Sequence, residues 1–417
     1  MLPAQHDNRA SRTVAILMAA GLTAGVQTVY AQSDSVATSF NGYATLGAAW
    51  SDNREADYLA NALNREGPGR SRVWDPGLDT RLGFQVSANL TNRLSGVVQV
   101  VVERQFDGDF KPELEWANLS YQLSSDVSLR VGRSLLDTFL VSDYRKVSYA
   151  LPWLRPPTEL YKLVSISNSD GLDATFQRRM GNSLLTLSAH YGRNSMDELD
   201  GYLKAPNLWG LFPRLELGDL TIKGSYTSYK LVYSEVDELW KAFQAFGAVG
   251  DEVVNRYRPS KRRSVFTALA FNYDPGEWFL MGEWGRSNMH SDFGSRSGWY
   301  LSAGQRLGQW SPYLTFARAQ GGHNAVNGLD PASLPAGVRE TAQALNGILL
   351  STQDSLAPRQ QTISVGSRWD FAPGFSAKLQ LDFVRPADDS SGTFINLKNP
   401  RDPGRTRLLS ATVDMVF

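Results

Sequence analysis

The sequence has no cysteine among its 417 residues, which excludes disulfides, thiolate metal sites and cysteine nucleophiles. It also has no excess of either charge, because 42 lysines and arginines balance 42 aspartates and glutamates. Such a chain has no overall field that attracts nucleic acid, and we expect no nucleic-acid partner. After residue 31 there is no run of eighteen apolar residues, so we expect no membrane-spanning helix in the mature chain.

Histidine is scarce as well. Apart from His6 near the N-terminus, the chain has His190, His290 and His323, and none of them has neighbours at metal-ligand spacing. A phospholipase barrel would need a serine and a histidine together on its lipid-facing surface, whereas His190 shares a strand face that we predict to be the wet one. We therefore predict no catalytic residue, no metal and no cofactor.

The first 31 residues are typical of a secretory signal. Arg9 and Arg12 provide the positive segment, 14–26 is apolar, and 29–31 is a plausible cleavage site. The alternative, a short membrane anchor, is disfavoured because the apolar stretch is short and rich in alanine, glycine and threonine. We predict that 1–31 is cleaved and that 32–417 forms one domain.

The mature chain is dominated by segments with a two-residue period. In the last ten residues, Leu409, Val413 and Phe417 fall on one face while Ser410 and Asp414 fall on the other. This is the pattern of an extended strand with one apolar and one wet face. We predict sixteen such strands, at 40–50, 81–90, 94–104, 115–123, 127–132, 172–177, 184–191, 208–217, 220–229, 265–273, 278–286, 299–307, 310–317, 362–371, 375–384 and 408–417.

The connections between these strands alternate in length. Short turns occur after every second strand, and long polar connections lie between, two of which carry helical spacing around 236–246 and 338–350. Segregation of loop lengths is typical of an outer-membrane barrel, and aromatic content of 11% suits its interfacial girdles. We predict an all-β fold, a transmembrane antiparallel β-barrel with short periplasmic turns and long extracellular loops.

Several stretches carry a family resemblance: RLGFQ at 81–85, EWANLSYQ at 115–122, RVGR at 130–133 and a closing strand that ends in Phe417. With these, the chain resembles a Gram-negative outer-membrane porin of the sixteen-stranded, trimeric general-diffusion class. The resemblance implies a cell outer membrane location, contact with bilayer lipid and lipopolysaccharide, and assembly as a homotrimer. It also implies passive diffusion of small hydrophilic solutes and ions, and barrel closure at Phe417.

The resemblance further implies that the loop at about 134–170 folds into the barrel and forms a charged constriction. The alternative is an ordinary solvated external loop. The loop has charges of both signs and is stiffened by prolines, as a fixed eyelet requires. We expect a transverse field with Arg81, Arg130 and Arg133 on one side and Asp143 and Glu159 on the other. The candidate constriction residues are Arg81, Arg130, Arg133, Asp143, Arg145, Arg155 and Glu159.

Strand parity predicts which other polar side chains line the lumen. The candidates are Gln85, Gln99, Lys223, Glu283, Arg306, Arg368, Asp370, Lys378 and Asp382. Basic residues outnumber acidic ones around the wall, which indicates a mild anion preference. The inference depends on correct parity, because a shift of one residue moves the side chains of a strand to the other face.

Two other functions stay open. Tyr144, Tyr149, Trp153 and Tyr161 are candidates for a solute-stacking track, which would make the barrel a substrate-specific channel for a sugar or an organic or aromatic acid. Alternatively, long loops would occlude the lumen and the barrel would have a mainly structural or adhesive role.

Overall fold

A computed structural model describes residues 37–417 except 62–63, 165, 199–200, 234–236, 259–261, 323–325, 357 and 400–401. The predicted signal peptide, 1–31, lies outside the described residues. Sixteen long strands pair antiparallel with their neighbours in chain order. They are β1 Ala37–Ser51, β2 Arg81–Asn89, β3 Leu94–Arg104, β4 Phe110–Gln122, β5 Val127–Leu135, β6 Asn168–Met180, β7 Ser183–Glu198, β8 Gly201–Leu217, β9 Leu220–Lys230, β10 Arg263–Tyr273, β11 Trp278–Asn288, β12 Ser295–Gln305, β13 Trp310–Gly321, β14 Gln360–Ala372, β15 Phe375–Pro386 and β16 Thr406–Val416.

The last strand pairs with the first and closes the sheet. Tyr43 lies opposite Val416 and Ser51 lies opposite Leu408, so the contact runs along most of β16. At its end, Phe417 and Gly42 exchange backbone hydrogen bonds of 2.8 and 3.0 Å. Closure leaves no free sheet edge. The predicted sixteen-stranded antiparallel barrel is confirmed.

The alternation of side chains decides which face of the wall each residue occupies. Large apolar side chains such as Val131, Leu172, Leu269 and Leu379 are about half exposed on the outer face. Their strand neighbours point inward and are mostly polar or small. An apolar outside and a polar inside is the arrangement of a barrel that meets lipid on its outer surface.

Seven short connections lie at one end of the barrel, which we call the turn end: 90–93, 123–126, 181–182, 218–219, 274–277, 306–309 and 373–374. The other end, the loop end, carries most of the long connections. One predicted loop there, 192–207, is instead strand: β7 and β8 continue to Glu198 and Gly201 and pair there, with an irregularity between Ala205 and Leu208. Polar and aromatic residues can extend a hairpin beyond the apolar band of the barrel. The low hydrophobicity of 192–207 therefore did not exclude strand structure.

Helices occur in the loops. They are α1 Thr158–Tyr161, α2 Asp237–Gln244, α3 Ala248–Tyr257 and α4 Arg339–Leu356. Trp240 and Phe243 of α2 are buried against Tyr257 of α3 and Leu349 of α4, so the predicted helical stripe packs within the loop layer. In the described part of the chain, no helix combines the length and apolar character needed to span a membrane.

Candidate functional site

The connection between β5 and β6 enters the barrel. We call residues 136–167 the inward loop; its apolar side chains form a core with inward-facing residues of the wall. Trp153 is fully buried and its ring meets Tyr300 edge to face at 5.4 Å, while Phe139 contacts Phe266 at 5.4 Å. Burying a side chain of this kind stabilises by about 1.5–3 kcal/mol. Half of the interior is therefore packed like a soluble core.

A buried arginine fixes the far part of the loop. Arg155 donates to both carboxylate oxygens of Asp79 at 2.8 and 2.5 Å, and to Ser410 at 2.8 Å. Asp382 lies 3.4 Å from the same guanidinium. All four side chains are buried, so the ion pairs are little screened by water. The loop is tied at this point to the connection 52–80, to β15 and to β16.

Wall side chains also bind the loop through its backbone. Glu283 on β11 accepts the amide N–H of Leu140 at 3.0 Å. Lys378 on β15 donates to the carbonyl of Trp153 at 2.9 Å. Lys223 on β9 donates to the Asp137 carboxylate and to the carbonyl of Phe139. These charged wall residues are therefore engaged in binding the inward loop.

Two glycines make room for α1. Gly285 on β11 and Gly298 on β12 lie directly opposite each other in the sheet. A Cβ atom on Gly298 would be 2.2 Å from the carbonyl oxygen of Glu159, and one on Gly285 would be 2.9 Å from Leu160. At Gly298 only a residue without a side chain lets the backbone of α1 approach the wall this closely, whereas Gly285 makes room for the side chain of Leu160.

The other half of the interior, beside β1 to β3, stays open. A cavity of about 140 Å³ lies between the inward loop, the connection 52–80 and the wall. Six basic residues and two acidic residues line it. The basic residues are Arg81, Arg104, Arg145, Lys146, Arg155 and Lys162, and the acidic residues are Asp79 and Glu103.

Lys146 is the centre of the charge arrangement in this open half. Its ammonium lies 2.6 Å from Glu103 on β3 and 2.8 Å from Glu115 on β4. Arg81 on β2 is 3.9 Å from Glu103. Arg145, next in the loop, has no hydrogen-bond partner among the described residues. Its guanidinium lines the cavity, where Glu115 and Glu103 are the nearest acidic influences on it.

Lys162 also lines the cavity, near the loop end. Burial lowers the pKa of its ammonium to about 7, an effect that Glu159 opposes and Arg296 reinforces. The side chain lies 3.4 Å from the carbonyl of Thr393. A positive charge on the wall of the cavity therefore depends on pH in the neutral range.

The predicted transverse field is wrong in three of its five members. Arg133 lies on the outer face, where it makes two hydrogen bonds to Asp170 at 2.7 and 3.0 Å. Glu159 faces the β14 wall and accepts from Gln360 at 2.6 Å and from Thr362. Asp143 lies on the side of Lys223 and Arg214, away from the cavity. Arg81 therefore faces basic loop residues, not acidic ones.

The remaining candidates are distributed around the inner face. Arg130 shares the inward stripe of β5 and lies opposite Asp173. Gln85 and Gln99 are joined by a 3.0 Å hydrogen bond, and Arg368 pairs with Asp370 at 2.6 Å. Arg306 lies at the turn end, paired with Asp274 at 2.6 Å and distant from the cavity.

The four predicted stacking residues do not form one track. Trp153 is buried and donates to Ser302 at 2.8 Å. Tyr161 stacks on Phe139 at 4.4 Å and bonds to Glu283, although its edge reaches the cavity. Tyr149 lies under the guanidinium of Arg368 at 4.5 Å, and Tyr144 packs beside the loop core.

His190 is the lumen-facing histidine. Its Nδ1 lies 2.8 Å from Asp173, whose other oxygen accepts from Ser134 at 2.5 Å. All three side chains lie between β5, β6 and β7. His323 lies outside the described residues. Among the residues that the structure describes, no cluster of three potential ligands could hold a metal ion.

No protein-family model matches the sequence, and no curated protein sequence matches it. Among solved structures, the anion-selective porin from Comamonas acidovorans is similar over 92% of this chain and 100% of its own, with a TM-score of 0.54 and 11% identity. The outer membrane channel DcaP of Acinetobacter baumannii is similar over 94% and 100%, with a TM-score of 0.56 and 8% identity. In vitro folded OmpT of Vibrio cholerae, in its trimer form, is similar over 91% and 99%, with a TM-score of 0.51 and 9% identity. The chain has the fold of these outer-membrane barrels.

Proposed function

We propose that this chain is an outer-membrane porin that passes small hydrophilic solutes and ions by passive diffusion, with a preference for anions. The observation that carries the proposal is the excess of basic residues around the cavity beside β1 to β3. Fixed positive charges at a narrow, water-filled point favour anions because confined water screens them weakly. The fold shared with outer-membrane porins and channels supports the location.

The selecting surface is formed by Arg81 on the wall and by Arg145, Lys146 and Lys162 on the inward loop. Glu103 and Glu115 offset the charges of Lys146 and Arg81, so the net positive charge of the passage comes from Arg145 and Lys162. The apolar core on the opposite side holds the loop in place, so the diameter is set by packing. We propose transport as the role of the site and no catalysis, and we propose that 1–31 directs export.

The chain is further proposed to form a homotrimer through the outer faces of β1 to β4. Phe84, Val86, Val98 and Leu114 are exposed there. Among the described strand residues, β1 to β4 are a continuous stretch without an exposed charged side chain on the outer face, whereas elsewhere only the isolated strands β12 and β14 lack a charged side chain there. The similar Vibrio protein was folded in a trimer form. Light scattering in detergent with lipid measures the mass: three copies are expected, and a monomer at all concentrations would contradict the trimer.

Planar bilayer recordings test the transport proposal. Purified protein should give ohmic steps of conductance, and under a salt gradient the reversal potential should have the sign of anion preference. Protein unfolded in urea before addition is the control. A barrel that conducts nothing would point to the occluded, structural role, and a preference for cations would contradict the charge assignment.

A further inference from the structure

The inward loop contains two lysines, Lys146 and Lys162, and both line the cavity. The ammonium of Lys146 is held between Glu103 and Glu115, at 2.6 and 2.8 Å. Lys162 has no ion-pair partner among the residues that the structure describes; its Nζ lies 3.4 Å from the carbonyl oxygen of Thr393. The two amines therefore share one cavity, but carboxylates stabilise the charged form of only one of them.

Glu159, the acidic residue nearest to Lys162 in the sequence, is committed to other partners. Its carboxylate accepts a hydrogen bond from the side-chain amide of Gln360 at 2.6 Å and another from the hydroxyl of Thr362. The Glu159 side chain is buried, and both donors lie on β14. Its negative charge acts on Lys162 without a direct contact. Lys162 is thus left without a carboxylate that would hold its proton.

A guanidinium group lies close to Lys162. Arg296 on β12 donates to the carbonyl oxygen of Leu163 at 3.0 Å, which fixes its position one residue along the loop. Burial lowers the pKa of Lys162 to about 7, and the positive charge of Arg296 contributes to this shift. Near neutral pH, a large fraction of the side chain is therefore an uncharged amine, which is a nucleophile.

The cavity beside Lys162 has room for a small electrophile. Lys162 is half-buried, so its side chain is partly exposed to this cavity. The volume is about 140 Å³, whereas one water molecule needs about 10–15 Å³. Asn64 and Arg145, whose side chains carry hydrogen-bond donors, line the same space. A molecule of a few atoms can therefore reach the amine.

We propose that Lys162 is a carbamylation site, at which carbon dioxide adds reversibly to the side-chain amine. The electron pair of Nζ forms a bond to the carbon atom, and one C=O π bond breaks to leave a negative oxygen. Nζ then releases one proton to water, so that amine and carbon dioxide give a carbamate and a proton. The inference goes beyond the proposed transport and does not depend on it, because the chemistry needs only the folded cavity.

The surroundings favour the negatively charged product. The guanidinium groups of Arg296 and Arg145 match the two oxygens of a carbamate, as they match a carboxylate. The same positive charges disfavour the ammonium form of Lys162, so they promote both the nucleophile and the product. Lys146 has the opposite surroundings, because two glutamates stabilise its ammonium form. A carbamate at Lys162 puts a negative group in the passage, so carbon dioxide should reduce the preference for anions.

Chemical trapping on the folded, detergent-solubilised barrel tests this proposal. Protein equilibrated with carbon-13-labelled bicarbonate at neutral pH is treated with triethyloxonium ion, which converts a carbamate to a stable ethyl ester, and its peptides are analysed by mass spectrometry. Label on Lys162 should exceed label on Lys146 at least about tenfold, because an ordinary lysine is uncharged in less than about one molecule in a thousand at pH 7.

A pair of arginine variants tests the role of the neighbouring charge. Arg296→Gln should lower the label on Lys162 severalfold, because it removes a cation that favours both the amine and the carbamate. Arg286→Gln, on the outer face of the adjacent strand β11, is the control and should keep the wild-type label.

An absence of label on Lys162 in wild-type protein would overturn the proposal without reference to any variant. Equal label on Lys146 and Lys162 would also overturn it, because the unpaired amine would then have no advantage. So would equal labels in Arg296→Gln and Arg286→Gln, since the neighbouring cation would then have no effect. Trapping requires no conductance, and reversal potentials in bicarbonate-free buffer decide the transport proposal separately, so either proposal can fail alone.

Discussion

On the β9 to β16 side of the interior, charged side chains are buried and committed to partners, whereas beside β1 to β3 they line an open cavity. Arg155 and Arg145 illustrate the difference within one loop: Arg155, at the border of the cavity, is buried and binds two aspartates, whereas Arg145 has no hydrogen-bond partner among the described residues. The same residue type thus anchors the loop at one position and is proposed to contact solutes at the other. Burial and partners, not residue type, separate structural from selective charges.

The largest expected effect is a loss of stability when a buried ion pair of the inward loop is removed. Arg155→Met leaves the carboxylates of Asp79 and Asp382 buried without their cation, which costs about 3–5 kcal/mol. Urea unfolding followed by intrinsic fluorescence should show this loss. Arg145→Met, the matched change in the open half, should leave the unfolding midpoint unchanged. Equal stability of the two variants would contradict the division of the interior.

Gly298→Val should displace the inward loop without removing a charge. The new side chain overlaps the backbone of Glu159, and overpacking of this kind costs about 1–3 kcal/mol. We expect noisier and smaller single-channel conductance, because α1 is displaced from the β12 wall toward the cavity. Gly347→Ala in α4, where no atom lies within 4 Å of the added carbon, is the control. Unchanged conductance in Gly298→Val would contradict the close packing of α1 against the β12 wall.

Sequence patterns predicted the barrel and part of the lumen. Parity placed Arg81, Gln99 and Lys223 on the inner face because a paired strand fixes the direction of every second side chain. Parity should also have found Glu103, which shares the face of Gln99. Arg133 was misplaced because β5 stays regularly paired through Leu135, so a residue three positions from Arg130 points outward.

The directions of other side chains could not be predicted from strand parity. Glu115 lies at an irregularity between β3 and β4, where the alternation shifts by one residue. The direction of Glu159 depends on how α1 docks on Gly298, which follows from tertiary packing. Trp153 and Tyr161 look like a stacking track in sequence, yet an aromatic residue in a folded-in loop gains more from burial in the loop core.

A smaller effect, on ion selectivity, is expected from a substitution in the open half of the interior. Glu103→Gln removes an acid that neutralises Lys146 and Arg81, so the preference for anions should increase about two- to threefold in permeability ratio, as expected for one charge near a wet pore. Reversal potentials in a salt gradient measure this ratio. Glu283→Gln, an acid removed from the packed side, is the control and should leave selectivity unchanged; a shift there equal to that of Glu103→Gln would contradict the comparison.

The pH dependence of selectivity is expected to be smaller still. Because burial lowers the pKa of Lys162 to about 7, this side chain is mostly neutral at pH 8 and mostly charged at pH 6. Anion preference should therefore rise as pH falls across this range. Lys162→Met should remove the dependence, and Lys162→Arg should keep the high preference at both pH values. A dependence that survives in Lys162→Met would contradict the assignment to Lys162.

The central claim is that basic residues of the inward loop, facing Arg81, decide which ions pass. The most direct test is the reversal potential of two double variants in the same salt gradient. Arg145→Gln with Lys146→Gln should move the preference toward cations, since Glu103 and Glu115 then dominate the passage, whereas Asp143→Asn with Glu159→Gln should match wild type. A shift confined to the second variant would contradict the account and restore the acidic loop residues as the selecting charges.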